Sequence, residues 1–164
     1  MESEVIMCVF FYKTDIGEIA IQENEGSICA MYFEGEALPS DLDIIETQIL
    51  KEAAYQLDKY LKGELKEFSL SLKLLTGTDF MKEIWQVLKE IPYGQTYTYK
   101  QVAEKINRPK AARAVGLACN RNPIPIFIPC HRVIGSNGSL TGYLGGVHIK
   151  EKLLSLERKG TILK

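Results

Sequence analysis

Over the opening third of the chain, apolar side chains come in β-branched and aromatic runs. These are "EVIMCVFFYK", "GEIAIQEN" and "SICAMYFEG", separated by Asp15-Ile16-Gly17 and by Glu25-Gly26. Short runs of this kind, cut by turn residues, predict an antiparallel meander of three strands. In "DLDIIETQILKEAAYQLDKYLKGE" the spacing becomes helical, with Ile45, Ile49, Ala53, Leu57 and Tyr60 on one face and Gly63 closing the segment. That helix is expected to cover the sheet. A short strand near "EFSLSL" and the polar "TGTD" follow, which puts a boundary at residues 75–78.

Beyond the boundary, helical spacing dominates. In "DFMKEIWQVLKEI", Phe80, Ile84, Val87, Leu88 and Ile91 share a face, and "PYGQ" ends the segment. Thr98 followed by Gln101 is a capping-box signature opening "YKQVAEKI", which Asn107 ends. Pro109 then suits the first turn of a third helix, "KAARAVGLACN", three or four residues on. Such a pair of short helices reads either as a helix-turn-helix or as an ordinary helical hairpin. The three prolines of "NRNPIPIFIPC" predict a stretched, stiff connector, Asn137-Gly138 a tight turn, and "VHIKEKLLSLE" a final helix. The expected class is α+β. Residues 1–77 form a small antiparallel sheet with a covering helix, and residues 78–164 a mainly helical domain containing the helix-turn-helix.

Composition changes this picture little, charge more. A chain of 164 residues with 46% hydrophobic and 25% charged side chains suits one medium or two small globular domains. No apolar run reaches the roughly 18 residues of a membrane span, and "MESE" lacks the basic start of a secretory signal. An intracellular protein is expected, cytoplasmic in a prokaryote and nuclear in a eukaryote. The net charge of −1 conceals a division, because residues 1–91 hold 8 basic and 18 acidic side chains and residues 92–164 hold 12 basic and 3 acidic ones. A basic half points to a polyanion-binding surface confined to the C-terminal part, with a solvated charged face as the plain alternative.

The third helix sharpens the point. Ala111, Ala112, Ala114 and Gly116 surround a single Arg113, and such small side chains let a helix backbone approach another surface closely. On DNA this face can lie against a groove while the arginine enters the stack or meets bases, with Lys100, Arg108, Lys110 and Arg121 as phosphate contacts.

"IPCHRV" carries the candidate chemistry. A free cysteine with pKa near 8.5 is only about 3% thiolate at pH 7, so Cys130 as nucleophile needs a base or a positive field. His131 is the local base; on extended backbone the two side chains point apart, so their contact needs a bend or a bridging water. Glu157, one of three acids after residue 91, has Leu153, Leu154, Gly160 and Thr161 as helix neighbours and no cation to pair with. It is therefore free to orient His131. Asn122 is a turn residue or a hinge for the site's backbone, and Tyr99 a core aromatic or a phenol donor. Cys8, Cys29, Cys119 and Cys130 are too few and scattered for a disulfide framework, and with only two histidines no metal is expected.

The run "KAARAVGLACNRNPIPIFIPCHRV", with "GYLGG" and "KEKLLSLE" after it, resembles the O6-alkylguanine-DNA alkyltransferases, repair proteins consumed by their own reaction. The resemblance is strong over residues 78–158, and the order of sheet and helix before it is similar to the family's variable first domain. It implies that Arg113 fills the gap left by a damaged guanine flipped out through the minor groove, and that Tyr99 helps rotate the nucleotide and donates a proton toward guanine N3. It also implies that Cys130 takes the alkyl group in line, that His131, through a water, and Glu157 deprotonate the thiol, and that Asn122 holds the hinge. Backbone groups of Cys130, Val133 and Leu144 match base-reading positions, and Tyr143 lines the pocket. Ala111, Ala112, Ala114, Gly116, Lys100 and Ser136 match groove or phosphate contacts.

A thioether product has no thiolate to expel, so one turnover and no cofactor are expected. The partner implied is duplex DNA containing O6-alkylguanine, with O4-alkylthymine as a further candidate, bound by a monomer that can cluster on DNA and does not associate with membranes. Leu144 falls where relatives often carry a smaller residue. Zinc, held by cysteines and histidines in the first domain of some relatives, is not carried over, because here that domain has no histidine. Three other readings stand beside this one. A lesion sensor would lack the cysteine, a cysteine hydrolase has no use for Arg113, and a transcription regulator needs polar base-reading side chains that "AARAVG" does not offer.

Overall fold

The structure, a computed structural model, describes residues 7–140 and 142–162, without the side chain of Ile162. The chain divides into two compact units, residues 1–75 and 76–164, and its class is α+β.

In the first unit, β1 (Met7–Thr14), β2 (Gly17–Asn24) and β3 (Ser27–Tyr32) form the expected meander, β1 and β2 pairing from Met7↔Asn24 to Thr14↔Gly17. Glu25 and Gly26 both have positive φ, 49° and 82°, which is the primed turn that matches strand twist in a two-residue hairpin. A fourth strand, β4 (Asp43–Ile44), adds parallel to β1 and gives the order β3-β2-β1-β4. The sheet is thus not wholly antiparallel. Because β4 and an extended Thr47 occupy the stretch assigned to the start of the helix, α1 runs only from Gln48 to Leu61. Ile45 lies outside it, 51% exposed, and Ile49 is half-buried; the inward face is Leu50, Ala53, Gln56, Leu57 and Tyr60. The strand expected near "EFSLSL" reduces to one bridge, Ile28↔Leu72.

The second unit contains α2 (Asp79–Lys89), β5 (Tyr97–Thr98), α3 (Tyr99–Lys105), α4 (Ala112–Asn120), a 3₁₀ turn (Cys130–Arg132), β6 (Val133–Ile134) and α5 (Val147–Ile162). Thr78 caps α2 by accepting from Met81 N at 3.2 Å. On α2 the buried positions are Ile84, Trp85 and Leu88, followed by Ile91, while Phe80 and Val87 are half-buried. Trp85, which the one-face count omits, donates from Nε1 to Ala118 O at 2.8 Å and ties α2 to α4. The Thr98–Gln101 capping box is formed in full.

Two expectations fail here. Pro109 does not enter the third helix, since Ala111 N donates to Arg108 O at 2.9 Å and closes a turn, so α4 begins at Ala112. Residues 106–111 separate the two helices, more than the three or four expected. The proline-rich segment is not stretched either. Ile126 has φ 74°, and Ile128 N donates back to Ile124 O at 2.9 Å, so the segment curls into a buried loop. Proline restricts φ but leaves ψ free, and burial of Ile124, Phe127 and Ile128 outweighs extension. Among the described residues, no helix is long and apolar enough to cross a membrane.

Asn107 ends α3 with φ 59°, its N–H on Glu104 O at 3.0 Å and that of Arg108 on Ala103 O at 2.9 Å, a Schellman arrangement. Asn107→Ala is expected to cost about 1 kcal/mol in denaturant unfolding, because alanine resists the left-handed region, whereas Asn107→Gly should cost nothing. An alanine variant as stable as the parent would show that this residue carries no strain.

Candidate active site

Pro129, with φ −81° and ψ 65°, turns the backbone into the 3₁₀ turn. Cys130, His131 and Arg132 therefore do not alternate sides as extended backbone would require. All three are buried, and both His131 and Arg132 reach the same carboxylate on α5. Glu157, 1% exposed, takes His131 Nε2 at 2.7 Å and Arg132 Nη2 at 3.0 Å on Oε2, and Arg132 Nε at 2.8 Å and Gly94 N at 3.2 Å on Oε1. Arg132 also donates from Nη1 to Ile91 O at 2.6 Å, and its guanidinium lies 5.7 Å from the Tyr93 ring centroid. Glycine is required at 94. Its φ is +80°, and any Cβ would collide with the Thr161 hydroxyl, which itself donates to Glu157 O at 2.9 Å.

These contacts set the protonation states. Burial disfavours the Glu157 carboxylate, but the hydrogen bonds from His131 and Arg132 and the Arg132 charge outweigh it and hold the group at about 2. An ionised carboxylate only accepts, so His131 Nε2 carries its hydrogen and Nδ1 keeps the lone pair. Burial lowers His131 from its ordinary value, with the nearby charges of Arg132 and Lys150 acting the same way and Glu157 opposing them. The imidazole is therefore neutral and able to take a proton. Burial pushes the Cys130 thiol up to about 11, against the lowering effects of the Asn122 hydrogen bond and the Lys150 charge. Left to itself, such a thiol would be about one part in ten thousand thiolate at pH 7.

Asn122 clasps the loop that precedes the thiol. Its Nδ2 donates to Ile128 O at 2.7 Å, and its Oδ1 accepts from Ile124 N at 3.0 Å. Lys150, 1% exposed on α5, donates to Val133 O at 2.6 Å and lies 5.8 Å from the Tyr99 ring centroid. None of the ion pairs found among the described residues involves it. Its ammonium favours the ionised form of Cys130 and of the neighbouring Cys119, whose thiol burial and the charge of Cys130 push up. Burial also raises the Tyr99 hydroxyl, to about 12, followed by the charges of Cys119 and Cys130, so it stays a proton donor.

A cavity of about 580 Å3 lies on the same unit, lined by Tyr99, Lys100, Ala112, Arg113, Gly116, Leu117, Asn120, Ser136 and Gly142. It gathers six of the residues singled out from the sequence. Ala111, Ala114, Arg108, Val133, Tyr143 and Leu144 are not among its walls. Ala114 is exposed, Arg108 lies over the Phe80 ring at 5.4 Å, Val133 is buried in β6, Tyr143 is half-buried and Leu144 is 47% exposed. A Cβ at Gly116 would meet Tyr99 only at ordinary contact, 3.8 Å, so internal packing does not demand glycine there.

Sequence motifs alone leave Arg132, Lys150, Leu117 and Asn120 without a role. A signal for Lys150 existed, since Lys150, Leu153, Leu154 and Glu157 fall on one helical face. Two charges on an apolar stripe mark burial with a purpose. Among the described residues, no cluster of three His, Cys, Asp or Glu side chains is arranged to hold a metal ion.

Glu157 and His131 both make stability rise with pH across the acid range. Glu157 lies below its ordinary 4.5 when folded, so its contribution is complete above that value and is lost as pH falls from 4.5 toward 2. His131 lies below its ordinary 6.5, so holding it neutral costs stability as pH drops through 6.5. Glu157→Gln should cost about 3–5 kcal/mol at pH 7, by stranding Arg132, and should flatten the acid limb of a urea-midpoint profile; an unchanged limb would place the acid sensitivity elsewhere. Lys150→Met should move the pH profile of Cys130 alkylation by iodoacetamide upward and slow it about tenfold near neutrality, whereas an unmoved profile would show that the ammonium does not act on the thiol.

The family description "6-O-methylguanine DNA methyltransferase, DNA binding domain" matches residues 79–159, and "6-O-methylguanine DNA methyltransferase, ribonuclease-like domain" matches residues 7–74. A methylated-DNA--protein-cysteine methyltransferase of Methanosarcina acetivorans is 58% identical over 89% of this chain and 95% of its own length. The constitutive enzyme of that name in Bacillus subtilis is 44% identical over 89% of this chain and 92% of its own. Among solved structures, Mycobacterium tuberculosis OGT in complex with DNA superposes with a TM-score of 0.88, at 38% identity over 93% of this chain and 94% of that one. With both units matched and relatives aligned over most of their length, this chain belongs to the 6-O-methylguanine DNA methyltransferase family.

Proposed function

We propose that the chain repairs O6-alkylguanine in duplex DNA by transferring the alkyl group to Cys130 Sγ, once per molecule. The observation that carries this reading is the ionised Glu157 carboxylate accepting from His131 Nε2, which leaves Nδ1 as the basic nitrogen of an imidazole that burial keeps neutral, next in the chain to a thiol that burial keeps protonated. Such a thiol needs a built-in base. The bond from O6 to the alkyl carbon breaks as the bond from Sγ to that carbon forms, and the thiol proton passes to His131 through a water. The departing guanine takes a proton at N3 from the Tyr99 hydroxyl, and the imidazolium proton returns to the tyrosinate. Atoms and charges balance, and only the thioether is new.

The groove beside Tyr99 supports the placement of DNA. Arg113 enters the space of the extruded guanine, Ala111, Ala112, Ala114 and Gly116 keep the helix close to the minor groove, and Lys100, Arg108 and Ser136 meet phosphates. Val133, Tyr143 and Leu144 border the base. Residues 1–77 support a domain, 78–164, that binds DNA and carries the reaction. The acting species is a monomer in the cytoplasm, and no cofactor enters the chemistry.

The test is intact-protein and peptide mass spectrometry after mixing with a duplex carrying one O6-methylguanine. One methyl per chain on Cys130, with guanine restored, is expected; Cys130→Ala should abolish the gain while keeping DNA affinity that falls as salt rises. No gain, or a methyl on Cys119, would overturn the assignment.

A further inference from the structure

Leu117 is an anomaly on α4. The helix buries Val115, Ala118 and Cys119 in the core, yet it turns Leu117, its largest apolar side chain, outward, 48% exposed, into the cavity it shares with Arg113. Apart from the Tyr99 ring, the rest of that wall is cationic, polar or very small, with Lys100, Arg113, Asn120 and Ser136 beside alanine and glycine. In a groove built for a polyanion, an isobutyl group has no phosphate to meet. What it matches is the apolar surface deep in a minor groove, the deoxyribose faces and the exposed edges of bases.

Its position relative to Arg113 gives it a task. The two are four residues apart on α4, hence on one face, with Leu117 about 6 Å farther along the helix axis. That distance is under two base-pair steps. When Arg113 occupies the place of the extruded nucleotide, Leu117 reaches the adjoining step, where apolar side chains of minor-groove proteins commonly wedge between partly unstacked bases. A charged filler alone leaves the apolar faces of the neighbouring bases wet. A leucine against them removes that surface from water, and does so only while the duplex is open.

Resting on the function proposed above, we infer that Leu117 is a positioning residue, an apolar wedge that works with Arg113 to hold the duplex open around the lesion. Its isobutyl group can neither move a proton nor attack carbon, so its effect falls on access to the base rather than on the transfer.

The experiment compares two alkyl donors, a duplex bearing one O6-methylguanine and free O6-benzylguanine, with the parent chain, Leu117→Ala, Leu117→Ser, Leu117→Met and Arg113→Ala. The ratio of duplex rate to free-base rate should fall about tenfold in Leu117→Ala and Leu117→Ser, the scale expected when three carbons that are already half-buried in the free protein are lost. Leu117→Met should largely restore it. When the lesion faces an abasic site, where no partner base competes to reclaim the guanine, the deficit should shrink, an outcome that misfolding would not produce. Rates that fall equally on both donors, or a ratio that does not move, would overturn the wedge. A parent chain that leaves Cys130 unmodified by the duplex would instead overturn the alkyl-transfer reading itself, and Arg113→Ala separates the cases by showing whether opening the duplex limits the rate.

Discussion

Burying a carboxylate costs several kcal/mol unless donors meet both its oxygens, and at Glu157 donors from two separate stretches of chain do so. His131 and Arg132 come from the 3₁₀ turn, Gly94 from the turn after α2, and the carboxylate itself from α5. Arg132 extends the network to Ile91 O at the end of α2. One ionised group thereby sets the approach of α5 to the reactive turn, the tautomer of the histidine and the charge balance around the thiol. Structure and chemistry share the same atoms here, which is why the site has little freedom to vary in geometry.

Around that centre the sequence spends conformational strain where position matters. Ile126 adopts a left-handed backbone so that the proline-rich loop can curl and Asn122 can hold both Ile124 N and Ile128 O. Gly94 takes φ +80° against Thr161, where no side chain fits. On the other flank, Trp85 grips Ala118 O and seats α4, so the small residues facing the cavity are not needed for packing and are left open to a ligand. The thiol, raised to about 11 by burial, is thus protected at rest and depends on its neighbours to react.

Much of this was legible in the chain. The meander, the capping box at Thr98 and Gln101, the end of α3 at Asn107 and the final helix all rest on local preferences, and all appear as read. The errors share another origin. Ile45 was counted into a helix because its spacing fits, yet the backbone just before it pairs with β1. The connector before Cys130 was expected to be straight because proline constrains φ; burial and a side-chain clasp bent it. Arg132 was visible in "CHRV", but only a carboxylate arriving from α5 gives it a purpose, and Lys150 was hidden inside a helix read for its leucines.

The sequence by itself determined the local elements, the division of charge, and the set of reactive side chains, because capping, turn chemistry and side-chain type act over a few residues. Only the tertiary structure decided that Arg132 joins His131 on Glu157, that His131 presents Nδ1 as its basic nitrogen, and that a lysine stands over Tyr99. These depend on the approach of segments separated by 25 residues or more along the chain, and on the low polarity of the interior they enclose. There hydrogen-bond geometry and burial, rather than residue type, set the proton inventory of the site.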